Sequence, residues 1–193
     1  PINWALINGL KETGLTSFFI NEKIDYGDII LQEKLKIEEK DNFESLYKKL
    51  KDLSGKFILK SIDCILDEGH NLKKQISSKK FPIAPKLNRE NTRINWNKSA
   101  ESIYNFVRGL SPVPCAWTLE KKTNKKILIY EVDFNTKSND QENGMKILSE
   151  LKTLSISTSN GSIIIKSLKI EGKRVISGKD YLNANKNDQI KFI

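Results

Sequence analysis

The residues with the plainest chemical potential fall in one short stretch, Asn21-Glu22-Lys23-Ile24-Asp25-Tyr26-Gly27-Asp28, which runs straight into Ile29-Ile30. Asp25 and Asp28 flank a glycine in a tight space. Asp and Gly favour turns, Asp because it bonds nearby backbone and Gly because it adopts φ values that other residues resist. Read from the residues alone, Asp25-Tyr26-Gly27-Asp28 is a turn, and Glu22 is a solvated side chain. A tight turn at a strand end also holds one carboxylate rigidly, so the same stretch can serve a cleft. Other candidates for chemistry are few. Cys64 and Cys115 make neither a ligand cluster nor a disulfide framework, and read as single thiols of a reducing, intracellular protein. His70, the one histidine, reads as a solvent-facing residue near a helix end, with no ligand set around it. No metal site is expected.

The basic residues are the other feature with consequences. Of the net charge of +9, residues 1–80 hold only +1, with 14 lysines against 13 acids, and residues 81–193 hold the other +8. Such asymmetry points to a polyanion such as nucleic acid, or else to a Lys-, Asn- and Ile-rich composition that has drifted basic. No apolar run approaches the roughly 18 residues a membrane helix needs, and no signal-peptide pattern opens the chain. The chain starts on Pro1, which reads as an internal start and leads us to expect a fragment.

The elements that must position these residues follow from periodicity. Residues 1–10 suit a short helix with Ile2, Leu6 and Ile7 as its stripe and Gly9 near its end. Residues 13–20 and 28–37 read as strands on either side of the turn. Residues 40–70 hold the clearest helix, with apolar positions at helical spacing, an Asp41/Glu44 capping box and Gly69 as a stop. Strand, turn, strand and long helix suggest the later half of an α/β domain. Residues 73–99 are polar and contain two prolines, so they read as a linker. Ser99 then caps a short helix with Ile103, Phe106, Val107 and Leu110 on one face, broken by Pro112 and Pro114. Residues 125–134, 144–151, 153–159 and 162–173 alternate and are β-branched, with Asn160-Gly161 as a turn, which suggests a small barrel or sandwich. The fold class is therefore α/β followed by β, divided as 1–80, a linker at 81–98, and 99–193. The basic half is the β-rich half.

Three quoted segments carry a resemblance. "PINWALINGLKETGLTSFFINEKIDYGDII" with the long helix, "KLNRENTRINWNKSAESIYNFVRGLSPVPCAWT", and "GKRVISGKDYLNA" resemble, in order, the methionyl-tRNA formyltransferase family. The resemblance implies a Rossmann-like formyltransferase domain, here its C-terminal part, followed by an OB-like β-barrel that contacts tRNA. It implies 10-formyltetrahydrofolate as co-substrate, initiator methionyl-tRNA as partner, a monomer, a cytoplasmic setting and no membrane. The family's catalytic asparagine and histidine and its folate loop would precede Pro1, so the chain alone is expected to be inactive.

Formyl transfer to an α-amine is acyl transfer: a neutral amine attacks, an oxyanion develops and a proton leaves. A carboxylate beside an imidazole orients it and stabilises its cation, and the resemblance gives that role to Asp25. It assigns the pterin to the backbone of Glu22, Lys23, Ile24, Tyr26 and Gly27. For tRNA it points to Lys86 first, then Arg89, Arg93, Arg108, Lys173 and Arg174, with Lys121, Lys122, Lys125 and Lys126 behind them. Each of these is otherwise a solvated surface charge. Trp96 and Trp117 read as packing residues and Trp4 as a helix-to-core anchor. Two other readings stay open. One is a formyltransferase for a nucleotide-linked amino sugar, or a formyl-folate hydrolase domain, on the same scaffold. The other is a non-catalytic nucleic-acid-binding module.

Overall fold

Two hydrophobic cores, one small and one large, organise the computed structural model, which describes residues 1–67, 72–75, 82–137, 139–147, 153–185 and 189–193. The small core lies in the first half. Helix α1 (Ile2–Ile7) is followed by strands β1 (Glu12–Phe18) and β2 (Ile29–Lys36), which pair antiparallel from Glu12↔Lys36 to Phe18↔Ile29. Alternate strand residues are covered on one face only, as a half-buried hairpin requires, and helix α2 (Phe43–Leu66) covers it. Leu6, Ile37, Leu46 and Leu50 form the centre. Among the described residues this half shows one antiparallel pair; no parallel strands accompany it.

The capping box of α2 is shifted by one residue from the expected Asp41/Glu44. Asn42 Oδ1 accepts from Ser45 N at 2.9 Å, and Ser45 Oγ accepts from Asn42 N at 3.1 Å. Asp41 is buried and engaged elsewhere. It accepts from Glu38 N (2.8 Å), Ser45 Oγ (2.8 Å) and Lys49 Nζ (2.7 Å). Burial by itself would raise the Asp41 pKa, but Lys49 and the two hydrogen bonds outweigh it and hold it below the usual carboxylate value. The helix ends at Leu66 with Asp67 as its cap; Gly69 and His70 lie outside the described residues.

Much of the stretch expected as a linker is packed. Thr92, Ile94 and Trp96 are buried, Ile94 N donates to Trp117 O (2.8 Å) and Trp117 N to Thr92 O (3.1 Å). Helix α3 (Ala100–Leu110) follows, with Ser99 Oγ accepting from Ser102 N at 3.1 Å, and it buries Ile103, Val107 and Leu110. Pro112 and Pro114, both after cis peptide bonds, follow the helix end. Then come β3 (Ala116–Leu119), β4 (Lys126–Asn135), β5 (Lys146–Ile147), β6 (Ser155–Thr158), β7 (Gly161–Ile170), β8 (Val175–Ser177) and helix α4 (Gly178–Ala184). Sequence periodicity passed over β3, β8 and α4, which are too short to establish a pattern. Of the strand expected at 144–151, Lys146–Ile147 is present, and 148–151 lie outside the described residues.

The strands form one antiparallel sheet in the order β3-β4-β7-β6-β5, with β8 paired to the later part of β7. Among the described residues the expected barrel is not closed by strand pairing. The chain end instead touches both edges by isolated bridges, with Leu119 and Ile193 exchanging backbone hydrogen bonds (3.1 and 2.9 Å) and Lys146 N donating to Ile190 O (2.9 Å).

The halves are joined by α1 and α3. Gly109 permits the contact, since a Cβ there would lie 2.8 Å from Ile7 Cγ1 and 3.0 Å from Asn3 O, and Asn3 Nδ2 donates to Gly109 O at 2.9 Å. From α3, Arg108 Nη1 donates to Glu38 O (3.2 Å) and Asp41 O (3.0 Å), and Tyr104 Oη donates to Glu39 O (2.9 Å). Trp4 is no core anchor: it is half-buried and its Nε1 donates to Pro85 O at 2.8 Å, tying down the connecting segment.

Candidate functional site

The connection 19–28 between β1 and β2 is a folded turn with its own hydrogen bonds. Phe19 N donates to Asp28 O (3.0 Å), Lys23 N to Asn21 Oδ1 (2.9 Å), Asn21 Nδ2 to Tyr26 O (3.3 Å) and Gln75 Nε2 to Gly27 O (2.8 Å). Gly27 is buried, and a Cβ on it would lie 1.4 Å from Phe19 O. Close backbone approach therefore demands glycine here, and its φ is not the reason. The left-handed residue is Asp25, at φ 56°. Asp tolerates that region better than most residues, and such outliers concentrate at functional sites. The Asp25 side chain is exposed, and among the described residues nothing donates to its carboxylate. Asp28 contributes its backbone carbonyl to the turn, which agrees with an architectural role.

A shallow groove of about 640 Å³ opens beside the turn, lined by Asn21, Glu22, Lys23, Tyr26, Asp28, Lys74 and Gln75. Among the described residues the backbone groups of Glu22 and Ile24 have no internal partner, so the turn offers unused polar edges next to the Tyr26 ring, over which Lys23 Nζ sits at 5.3 Å. A flat heterocycle with donors and acceptors on its rim, such as a pterin, fits that combination.

The basic residues assemble around an indole. Trp117 is 6% exposed, and its Nε1 donates to Arg89 O at 2.8 Å. Over its ring stand Arg89 Cζ (5.6 Å), Arg93 Cζ (5.4 Å) and Lys126 Nζ (5.2 Å). Three cations thus stand around one indole, each within the roughly 6 Å at which a ring attracts a cation. The loop that presents Arg89 is stiffened by Asn88 Oδ1, which accepts from Glu90 N and Asn91 N (both 2.9 Å). Lys86 is exposed on the same loop, and its carbonyl accepts from Asn91 Nδ2. Lys126 ranked behind these residues in the sequence reading. Nothing local in sequence joins it to Arg89 and Arg93; the β3–β4 pairing does.

Arg108 is not on this surface. It is 8% exposed and its guanidinium is committed to carbonyls of the 38–41 loop, so it is a joint between the halves and offers no phosphate contact. Lys173 and Arg174 are exposed in the β7–β8 turn, beside Lys122 and Lys125. Cys115 is buried, its Sγ donates to Ile129 O at 3.3 Å, and burial pushes its thiol up to about 12, so it is no nucleophile. Among the described residues no helix is long and apolar enough to cross a membrane, and no cluster of metal-ligating side chains is present.

Known proteins match the chain in both halves. A family model described as "Formyl transferase" matches residues 1–62, and "Formyl transferase, C-terminal domain" matches residues 86–186. The chain is 37% identical over 190 residues to the methionyl-tRNA formyltransferase of Phocaeicola vulgatus, covering 94% of this chain and 58% of that protein. It is also 37% identical over 185 residues to that of Flavobacterium johnsoniae, covering 95% and 58%. The chain thus spans about 58% of the length of these relatives. In fold it resembles HypX from Aquifex aeolicus in complex with tetrahydrofolic acid, with a TM-score of 0.63 at 16% identity over 94% of this chain and 32% of that one. It likewise resembles the N-formyltransferase of Helicobacter canadensis in complex with folinic acid and dTDP-3-aminofucose, with a TM-score of 0.60 at 21% identity over 83% and 58%.

Proposed function

The chain belongs to the formyl transferase family, and from that premise we propose that it is part of an enzyme that moves a formyl group from 10-formyltetrahydrofolate to the α-amine of initiator methionyl-tRNA, acting as a cytoplasmic monomer. The observation that carries the choice of acceptor is the gathering of Arg89, Arg93 and Lys126 on Trp117. A small acceptor needs no broad positive surface, whereas a tRNA brings a run of phosphates whose counterions are released on binding. The names of the relatives at 37% identity support the same acceptor.

When bound, the folate supplies an acyl group ready for transfer. Backbone edges of Glu22 and Ile24 hold its pterin beside the Tyr26 ring, while Lys23, Tyr26 and Gly27 give their backbone groups to the turn itself. Asp25 supplies the charge: its carboxylate orients an imidazole from the rest of the enzyme and stabilises it while that ring carries the proton taken from the amine. The bonded turn holds the Asp25 backbone at positive φ, and among the described residues nothing donates to its carboxylate. Lys86, Arg89 and Arg93, with Lys126, lay the acceptor's phosphates across the second half, and Lys173 and Arg174 extend the positive field. That half reads as an OB-like barrel starting near residue 86, its sheet edges drawn together by residues 190–193.

The test is a formylation assay on the full-length protein with a 10-formyl folate donor, offered either initiator methionyl-tRNA or a nucleotide-linked amino sugar. Turnover of the charged tRNA alone supports the proposal. Turnover of the amino sugar alone replaces it with the sugar-formyltransferase reading, and release of formate without an acceptor replaces it with the hydrolase reading.

A further inference from the structure

We infer that a cavity between the β3–β4 and β7–β8 turns takes one unpaired nucleotide of an RNA chain; the inference rests on the tRNA reading above and deepens it. The cavity measures about 410 Å³, within the roughly 300–1,000 Å³ of small-ligand sites. Its floor is apolar, made by Ile127, Tyr181 and Ile190, all buried, with Ile170 and Ile176 beside them. Its rim carries Lys122, Lys125, Lys173 and Arg174. These four come from two turns held together where Glu171 N donates to Lys126 O at 2.9 Å.

An apolar floor under a cationic rim complements a flat, weakly polar body with anions attached on either side. A nucleobase between two phosphates has that form, and stacking on such a floor is sequence-tolerant because every base has a π-face. A paired base cannot enter, so the nucleotide is an unpaired one. Among the described residues Glu120 is the one carboxylate in the wall. It accepts from Lys122 N (3.0 Å) and Thr123 N (2.7 Å), and Thr123 Oγ1 donates to it as well, so its oxygens are engaged in shaping the 120–125 turn. Asn185, also in the wall, donates Nδ2 to Tyr181 O (2.8 Å), which leaves Oδ1 as an acceptor for a base edge.

The experiment compares single-stranded RNA octamers, one with all bases and one abasic at its central positions, by fluorescence anisotropy on the full-length protein. The two probes carry the same charge, so any difference belongs to base burial. We expect the complete octamer to bind about tenfold tighter, the scale of one stacked base. The preference should vanish in Ile176→Glu and shrink in Lys173→Ala/Arg174→Ala. It should persist in Arg89→Ala/Arg93→Ala/Lys126→Ala, although that variant binds both probes more weakly. Equal binding of the two probes by the unmodified protein overturns the pocket, and so does a preference that survives in Ile176→Glu. The comparison in the unmodified protein decides the matter if that variant does not fold. Uridine monophosphate that binds as tightly as the octamer overturns the RNA source in favour of a free nucleotide. Should neither probe bind with any salt dependence, the tRNA reading itself has failed, and the pocket falls with it.

Discussion

The β1–β2 turn and the Trp117 face are built on opposite plans. The turn is a device of backbone: a glycine pressed against Phe19, an aspartate at positive φ and a carboxylate with no partner among the described residues. Around it the chain leaves apolar groups in solvent, with Ile20 and Ile24 each 93% exposed, near the smaller of the two described cores. The Trp117 face is a device of side chains in the half that holds the larger one. On the proposed reading, the turn carries the reacting carboxylate and the three cations around Trp117 supply the positive field that phosphates need. The lesson is that chemistry and binding can be broken separately here.

Four perturbations would sharpen or break that division. The largest effect belongs to Asp25→Asn, which keeps the shape and removes the charge. We expect kcat to fall by about 10²–10⁴-fold, with tRNA affinity and Tm unchanged; matching losses in affinity would move Asp25 to the binding side. Next is Arg89→Ala/Arg93→Ala/Lys126→Ala, whose slope of log K against log salt should flatten by roughly 2–3 units, near one per lost phosphate contact. Its kcat at saturating tRNA should hold, and Lys86→Ala should show a smaller change of the same kind.

Arg108→Ala comes third. It leaves the carbonyls of Glu38 and Asp41 without their donor and should cost roughly 2–3 kcal/mol of stability in denaturant unfolding. If it instead altered the salt slope with stability intact, Arg108 would belong to the binding face after all. The smallest effect concerns Asp41. Its folded pKa lies below the 3.8 of the free side chain, so its stabilisation is complete above that value and is lost as pH falls through it towards the folded value. In Asp41→Asn, Tm should drop by an amount equivalent to about 1 kcal/mol at neutral pH, and the gap to the unmodified protein should narrow in acid.

Local pattern carried the sequence reading a long way where the determinants were local. Ser99 as a cap, the apolar face of α3 and the periodicity of α2 were all legible, because each depends on residues within a few positions of one another. The cap of α2 was misplaced by one residue because Asp41 and Asn42 are equally good caps, and only Lys49 and the 38–41 loop decide which is free to serve. Family resemblance led to Asp25 and Gly27, but the reason for Gly27 lay in Phe19, whose carbonyl approaches only in the folded hairpin. Arg108 looked like its exposed neighbours in composition, and its partners lie some seventy residues away. The cluster on Trp117 was hidden for the same reason. Its charges were countable in the sequence, while their convergence depends on β3 pairing with β4 and with the 92–94 segment.

The most direct test of the proposed acceptor is the salt dependence of formylation by the unmodified full-length protein, with kcat/KM for initiator methionyl-tRNA followed from about 50 to about 200 mM salt. We predict a linear and steep fall of log kcat/KM against log salt, with kcat at saturating tRNA nearly constant. A flat kcat/KM over that range would contradict the claim that this basic half exists to hold the phosphates of its substrate.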